Sequence, residues 1–139
     1  MSKALLQPVI ALVVWHFVMW TWMYATRVPA IRRARMRLDP QAPRGAQMEQ
    51  LPASVRWKAD NYNHLYEMPT LFYAVALTLA LLGDASAASV GLAWAYVGLR
   101  VAHSLFQALV NVIELRFALF VLSSLVLMGL TARAALLLI

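Results

Sequence analysis

The first apolar segment of the sequence sets the strongest limit on what this chain can fold into. Residues 4–26 contain no Asp, Glu, Lys or Arg. At about 1.5 Å per helical residue, the segment is long enough to cross a hydrocarbon core about 30 Å thick. A secretory signal peptide would have a shorter apolar core before a polar mature chain, whereas further apolar segments follow here. We therefore expect a retained membrane span.

Three more apolar segments follow, at residues 61–83, 86–110 and 115–138. Because 63% of the 139 residues are hydrophobic and only 13% are charged, the composition is typical of a membrane protein. The segments lack the strict alternation of β-barrel strands. The sequence therefore predicts an all-α membrane protein, with residues 1–139 forming a single antiparallel bundle of four transmembrane helices.

Turn-forming residues separate the last three segments. Gly83 and Asp84, with Ser86, mark a short connection, and Asn111 lies near the next one. Short connections between long helices make the neighbouring helices antiparallel.

The one long polar segment, residues 27–60, is strongly basic. It carries Arg27, Arg32, Arg33, Arg35, Arg37, Arg44, Arg56 and Lys58 against Asp39, Glu49 and Asp60. The positive-inside rule places this loop on the cytoplasmic side, and we expect a bacterial inner membrane. The net charge of +6 is concentrated here and fits contact with membrane lipids, while no aromatic-plus-basic pattern supports nucleic-acid binding.

The chain has no cysteine, which excludes disulfides, thiolate metal sites and a cysteine nucleophile. Three scattered histidines without an H-E-x-x-H spacing give no convincing ligand set, so we predict no metal site. Ser123 and Ser124 have no His and acid nearby in sequence to activate them. Any thiol chemistry would therefore use a thiol from another molecule.

Polar residues inside the apolar segments converge on one end of the predicted bundle. They are Asn63 and Glu67 at the start of the second helix, Arg100, His103 and Gln107 in the third, and Glu114 and Arg116 at the start of the fourth. A charge within the hydrocarbon costs about 2.5–3.5 kcal/mol, so such groups normally face a partner or a wet cavity. Two arginines exceed what Glu67 alone would neutralise. A pocket for a small ligand with carboxylates is the favoured interpretation, because guanidinium groups bind carboxylates in bidentate geometry.

Structural explanations remain open for individual residues. Glu67 and Arg100 would also make sense as an ion pair that fixes helix packing, and His103 as a packing residue. We expect His16, which lies between Trp15 and Phe17, to be structural. His64 receives no functional role.

Two segments resemble a known superfamily. "NHLYEMPTLFYAVAL" (63–77) and "LRVAHSLFQALVNVIELRF" (99–117), together with the four-span layout, are similar to the MAPEG superfamily, the membrane-associated proteins in eicosanoid and glutathione metabolism. The spacing of Arg100 and Arg116 is similar to its prostaglandin E synthase branch.

The resemblance implies a homotrimer that binds glutathione as a co-substrate between subunits near the cytoplasmic face. By motif position, Arg100 and Arg116 would hold its carboxylates, His103 would hydrogen-bond to it, and Glu67 would bind its amino group or orient the arginines. Asn63 fits less well, because it lies four residues before Glu67 and the family spacing is three. The family tyrosine falls at Gln107.

Three functions are weighed. The preferred one is a glutathione-dependent transferase or peroxidase acting on lipophilic electrophiles, in which a cationic pocket favours the thiolate of glutathione. Arg32 or Arg35 is a candidate for stabilising that thiolate. The departures at Asn63 and Gln107 motivate the alternative, a non-catalytic lipid-binding or scaffold member of the same fold. A transporter has little support, since we find no repeat or paired broken helices.

Overall fold

A computed structural model describes residues 2–139, which form five α-helices and one short 3-10 turn, with no strand in that range. The helices are α1 (Lys3–Arg33), α2 (Ala53–His64), α3 (Met68–Leu81), α4 (Ala87–Leu109) and α5 (Ile113–Leu138), and the 3-10 turn is Met48–Gln50. The fold is therefore all-helical, as predicted.

The second helix differs from the prediction. Residues 61–83 were expected to form one continuous helix, but the chain breaks at residues 65–67 between α2 and α3. Pro69 in the first turn of α3 explains the break, because its ring has no N–H to donate and would clash with the carbonyl four residues earlier. The first helix is longer than the predicted segment 4–26 and runs through Pro29 to Arg33.

Two helices, α1 and α5, are long and apolar enough to cross a membrane by length and composition. Among residues 2–139 no other helix meets both conditions. Helix α3 has 14 residues, or about 21 Å of rise, which is less than a hydrocarbon core about 30 Å thick.

The main core lies between α1, α3, α4 and α5. Leu12, Phe72 and Leu130 are fully buried, and the ring of Phe72 stacks on that of Tyr96 with centroids 4.6 Å apart. Ser2 N–H donates to the carbonyl of Ala80 at 2.9 Å, so the start of α1 lies beside the end of α3. The two helices are therefore antiparallel.

The turn between α3 and α4 is tied to α5 by a polar cluster. Gly83 has a φ of +79°, a left-handed conformation that glycine adopts without strain. Asp84 accepts hydrogen bonds from the backbone of Ser86 at 2.9 Å and from the hydroxyl of Ser89. Arg133 of α5 donates from Nε to Ser89 Oγ (2.6 Å) and from Nη2 to Ser86 Oγ (2.8 Å). Burial alone would raise the pKa of Asp84, but these hydrogen bonds and Arg133 hold it below its usual value.

At the other end of the bundle, Lys58 anchors α2. Its ammonium donates to the carbonyls of Ser54 (2.8 Å) and Ala108 (3.4 Å) and lies 5.2 Å from the ring centre of Trp22. Burial lowers the pKa of Lys58. One side chain thus fixes α2 against both α1 and α4.

His16 is structural, as expected, because it bridges the helix break. Its Nε2 donates to the carbonyl of Leu65 at 2.8 Å, and its ring lies edge-on to that of Tyr66 with centroids 5.3 Å apart. Because the helix breaks here, the Leu65 carbonyl has no intrahelical donor, and His16 of α1 supplies one.

Candidate functional site

A polar cavity of about 540 Å³ lies where α2, α3, α4 and α5 meet; we call it the site cavity. It is lined by Asp60, Asn63, His64, Glu67, His103, Gln107, Ile113, Arg116, Phe117 and Phe120. Its size is typical of small-molecule sites, which measure about 300–1,000 Å³. The wall contains charged groups of both signs as well as aromatic rings, so the cavity suits a ligand with charged and apolar parts.

His64 and Glu67 form an ion-pair geometry on the rim. His64 Nδ1 lies 2.8 Å from Glu67 Oε2, and the Glu67 side chain is 62% exposed. The helix break creates this contact: His64 ends α2, the N–H of Glu67 donates to the His64 carbonyl at 3.3 Å, and α3 starts one residue later. The expectation that Asn63 and Glu67 both lie at the start of one helix is wrong, because α2 ends between them at His64.

His103 of α4 forms the buried part of the wall. Its ring lies 5.2 Å from that of His64, and the His64 ring lies 5.7 Å from that of Phe120. His103 is 1% exposed, and its Nδ1 has no hydrogen-bond partner among residues 2–139. A buried ring nitrogen of this kind is a candidate contact for a ligand.

Arg116 supplies the cation of the cavity and is held by the turn before α5. Its Nη1 donates to Asn111 Oδ1 at 2.7 Å. Asn111 has a φ of +53°, a conformation that asparagine tolerates better than most residues. This hydrogen bond uses one of the five N–H donors of the guanidinium, so most of its capacity to bind a carboxylate remains.

Two predicted amide residues also reach the site cavity. Asn63 is exposed at its edge, on the last turn of α2. Gln107 lies one turn beyond His103 on α4, and its buried Oε1 has no partner among the described residues. Glu114, which was predicted to converge with them, is exposed and does not line the cavity.

Arg100 lies deeper in the bundle and does not line the site cavity. It is 0% exposed, and within residues 2–139 its Nε, Nη1 and Nη2 have no hydrogen-bond partner. Arg100 and Glu67 could have formed an ion pair, but residues 2–139 contain no such pair. Glu67 pairs with His64 instead. A buried cation without a hydrogen-bond partner costs free energy of folding.

His64 and Asp60 also line the cavity, although the sequence did not predict them there. The same holds for the apolar wall of Ile113, Phe117 and Phe120. The i, i+3 spacing of His64 and Glu67 was a signal that could have found their contact. The aromatic residues carried no signal, because a Phe on an apolar helix is ordinary lipid-facing or core filling.

An all-helical bundle with two candidate membrane spans and a charged cavity at one end belongs to the class of helical membrane proteins. The chain matches the model of the MAPEG family over residues 5–136, and it belongs to that family. The protein is thus a membrane protein of the superfamily concerned with eicosanoid and glutathione metabolism, as the two quoted segments predicted. No significant match was found among curated proteins or among solved structures.

Proposed function

We propose that the site cavity binds glutathione and that the protein is a glutathione-dependent transferase or peroxidase for lipophilic electrophiles. The observation that supports this most strongly is the meeting of Arg116, Glu67 and His103 around one cavity of about 540 Å³. Glutathione carries two carboxylates and one amino group. Arg116 suits a carboxylate, Glu67 suits the amino group, and the amides of Asn63 and Gln107 suit the peptide bonds.

The buried polar groups near the cavity also fit a ligand of this kind. His103 Nδ1 and Gln107 Oε1 have no hydrogen-bond partner in residues 2–139 and are left to bind the ligand. Arg100 lies one helical turn before His103 and is fully buried, so in this proposal its charge acts on the ligand without direct contact. Family members generally use glutathione, which agrees with the chemistry of the wall.

The apolar wall explains how a lipophilic electrophile would meet the thiol. Ile113 and Phe117 are 65% exposed and line the cavity at the start of α5, one of the two candidate spans. Their side chains offer a surface continuous with the lipid-facing part of that helix. A substrate dissolved in the bilayer would reach the cavity without crossing water.

In the proposed reaction His64 is the general base. His64 takes the proton from the thiol of glutathione, and Glu67, 2.8 Å from Nδ1, orients the ring and stabilises its cationic form. The thiolate sulfur then forms a bond to the electrophilic carbon, and the leaving group departs with the bonding electrons. Arg116 adds positive charge near the developing thiolate.

The membrane arrangement is part of the proposal. We infer four spans, formed by α1, by α3 with the end of α2, and by α4 and α5, with the basic loop 27–60 cytoplasmic in a bacterial inner membrane. Helix α4 has 23 residues, about 35 Å of rise, and is therefore long enough to cross. We also infer a homotrimer with glutathione bound between adjacent subunits, as the resemblance to the MAPEG superfamily implies.

Two observations favour the alternative, a non-catalytic lipid-binding or scaffold protein. Gln107 stands where the family has a tyrosine, and Arg100 is absent from the cavity wall. Under this alternative the cavity binds an amphipathic lipid and no thiol is activated.

Isothermal calorimetry of the detergent-purified oligomer tests the proposal. Saturable glutathione binding that is lost in Arg116→Ala and retained in the exposed-loop variant Arg37→Ala supports it. A folded oligomer of unchanged mass that binds no glutathione rejects it. Binding without conjugation of a generic aryl halide selects the alternative.

A further inference from the structure

A second cavity lies on the other side of α2, where the end of α1 meets the loop, and we propose that it binds a phosphate group. It has a volume of about 520 Å³ and is bounded by Arg27 of α1, Arg44 of the loop and Arg56 of α2. We call it the arginine cavity. Its three guanidinium groups come from three separate parts of the chain, so folding brings them together around one space.

The three arginines are not used up by ion pairs within the protein. Across residues 2–139 no carboxylate oxygen lies within 4.0 Å of a nitrogen of Arg27, Arg44 or Arg56, although Glu49 and Asp60 line the same cavity. The Nε of Arg27 is buried without any hydrogen-bond partner in that range. Arg133, by contrast, donates to two serines. Within the described residues the three guanidinium groups therefore have no ion-pair partner, and Arg27 Nε has no hydrogen-bond partner.

The geometry favours phosphate over carboxylate. A carboxylate is planar and presents two oxygens in one plane, whereas a phosphate group presents oxygens in several directions. Guanidinium groups pair with both, but three guanidinium groups that surround a space are best satisfied by the tetrahedral group.

The net charge of the cavity wall limits how much negative charge a bound phosphate group can carry. Three arginines face two carboxylates, Glu49 and Asp60, which leaves one excess positive charge. A phosphodiester carries a single negative charge and matches that excess. A polyphosphate would meet repulsion from both carboxylates.

Two sources can supply a phosphodiester. The first is an anionic phospholipid, because Arg27 directly follows the predicted span 4–26 and the cavity would then lie at head-group level. The second is a soluble phosphorylated molecule that enters from the loop side. The chemistry recognised is the same, and only the tail of the ligand differs.

The test measures ligand-dependent thermal unfolding of the full chain in a phosphate-free, uncharged detergent. One series adds phosphatidylglycerol and, for comparison, diacylglycerol, which has no phosphate group, to mixed micelles. Another adds the soluble phosphodiester dimethyl phosphate against sodium chloride at equal ionic strength. The wild type is compared with Arg27→Gln and with Arg33→Gln, which removes an equal charge from an exposed position on the same helix.

We expect a ligand-dependent rise in melting temperature in the wild type and in Arg33→Gln. The apparent affinity should fall at least tenfold in Arg27→Gln, with partial recovery in Arg27→Lys. A response to phosphatidylglycerol alone identifies a lipid head group as the source, and a response to dimethyl phosphate identifies a soluble one.

Three results overturn the proposal: no rise with either ligand, an equal rise with diacylglycerol, or an equal response in Arg27→Gln. If Arg27→Gln does not fold, Arg44→Gln replaces it, because Arg44 is exposed and lies outside every helix. Since no glutathione is present, failure here leaves the proposed activity untouched, and failure of that activity leaves the arginine cavity in place.

Discussion

His64 Nδ1 and Glu67 Oε2 lie 2.8 Å apart across the break between α2 and α3. A continuous helix would also place these residues on one face, but the break lets the carboxylate fold back onto the last turn of α2. A carboxylate that holds one ring nitrogen leaves the other free to exchange a proton with a ligand. Glu67, a charged residue in a largely apolar chain, therefore has a partner in the imidazole beside it.

The first prediction concerns the proposed base. His64→Gln should lower kcat/KM for glutathione conjugation by about 10²- to 10⁴-fold, because it removes general-base catalysis. Glu67→Gln should cause a smaller loss, since the ring remains but is less well oriented. Steady-state rates across pH provide the measurement: the wild-type rate should rise with pH as the imidazole loses its proton, and His64→Gln should lack that limb. An unchanged profile in His64→Gln would exclude His64 as the base.

Asn111 should act as a positioning residue for Arg116. Asn111→Ala removes the acceptor that lies 2.7 Å from Nη1, so glutathione affinity should fall by about tenfold while the rate at saturation changes little. Asn111→Asp keeps an acceptor and should retain most of the affinity. Calorimetric dissociation constants compared with kcat test this. Equal affinity in Asn111→Ala and the wild type would contradict it.

His16 should contribute to stability rather than to activity. His16→Ala leaves the Leu65 carbonyl without its donor and should lower the free energy of unfolding by about 1–3 kcal/mol. Thr21→Ala changes an exposed position on the same helix and serves as the control. Denaturant titration in detergent measures both. Comparable losses in the two variants would count against a bridging role.

The hydrogen bonds around Asp84 predict that the stability of the protein depends on pH in the acidic range. The pKa of Asp84 is lowered below 3.8 in the folded protein. The contribution of Asp84 to folding stability is therefore complete above its pKa in the unfolded chain, and it is lost as pH falls through its pKa in the folded protein. Asp84→Asn should therefore be less stable than the wild type at neutral pH, by about 1–3 kcal/mol, and the difference should shrink in acid. Melting temperatures of the two proteins, measured from pH 7 to pH 3, test the sign. Glu114→Gln, at an exposed position, should show no such trend.

The absence of native cysteine makes the proposed topology easy to test. Single cysteines at Ser54 and Ala85, both exposed, flank the proposed span that contains α3. With the basic loop cytoplasmic, an impermeant maleimide should label Ala85→Cys from the outside of intact spheroplasts, and Ser54→Cys only after permeabilisation. Labelling of both from one side would mean that α3 does not cross.

Much of the site followed from the sequence because polar residues in apolar helices are rare and informative. Asn63, Glu67, His103, Gln107 and Arg116 were predicted to meet, and all five line one cavity. Their role in glutathione binding stays a prediction. The turns at Gly83 and Asn111 were also foreseen, because their residue types favour left-handed backbone.

The sequence did not show how deeply each polar side chain is buried or where a helix is interrupted. The i, i+3 and i+7 spacing of Arg100, His103 and Gln107 shows that they share one face of the helix. It does not show which helical turn reaches the cavity. Arg100 was therefore expected in the cavity wall, which it does not line. The break at residues 65–67 depends on Pro69 together with the acceptor that His16 satisfies from α1. A contact 49 residues away in sequence leaves no local pattern.

Asp60 and Asn63 line the site cavity and the arginine cavity at once. The two compartments are therefore separated by side chains of a single short helix. A ligand in one compartment that reorients either residue changes the affinity of the other compartment, and thermodynamic reciprocity requires the effect to be equal in both directions. Helix α2 is thus placed to couple the occupancy of the two cavities.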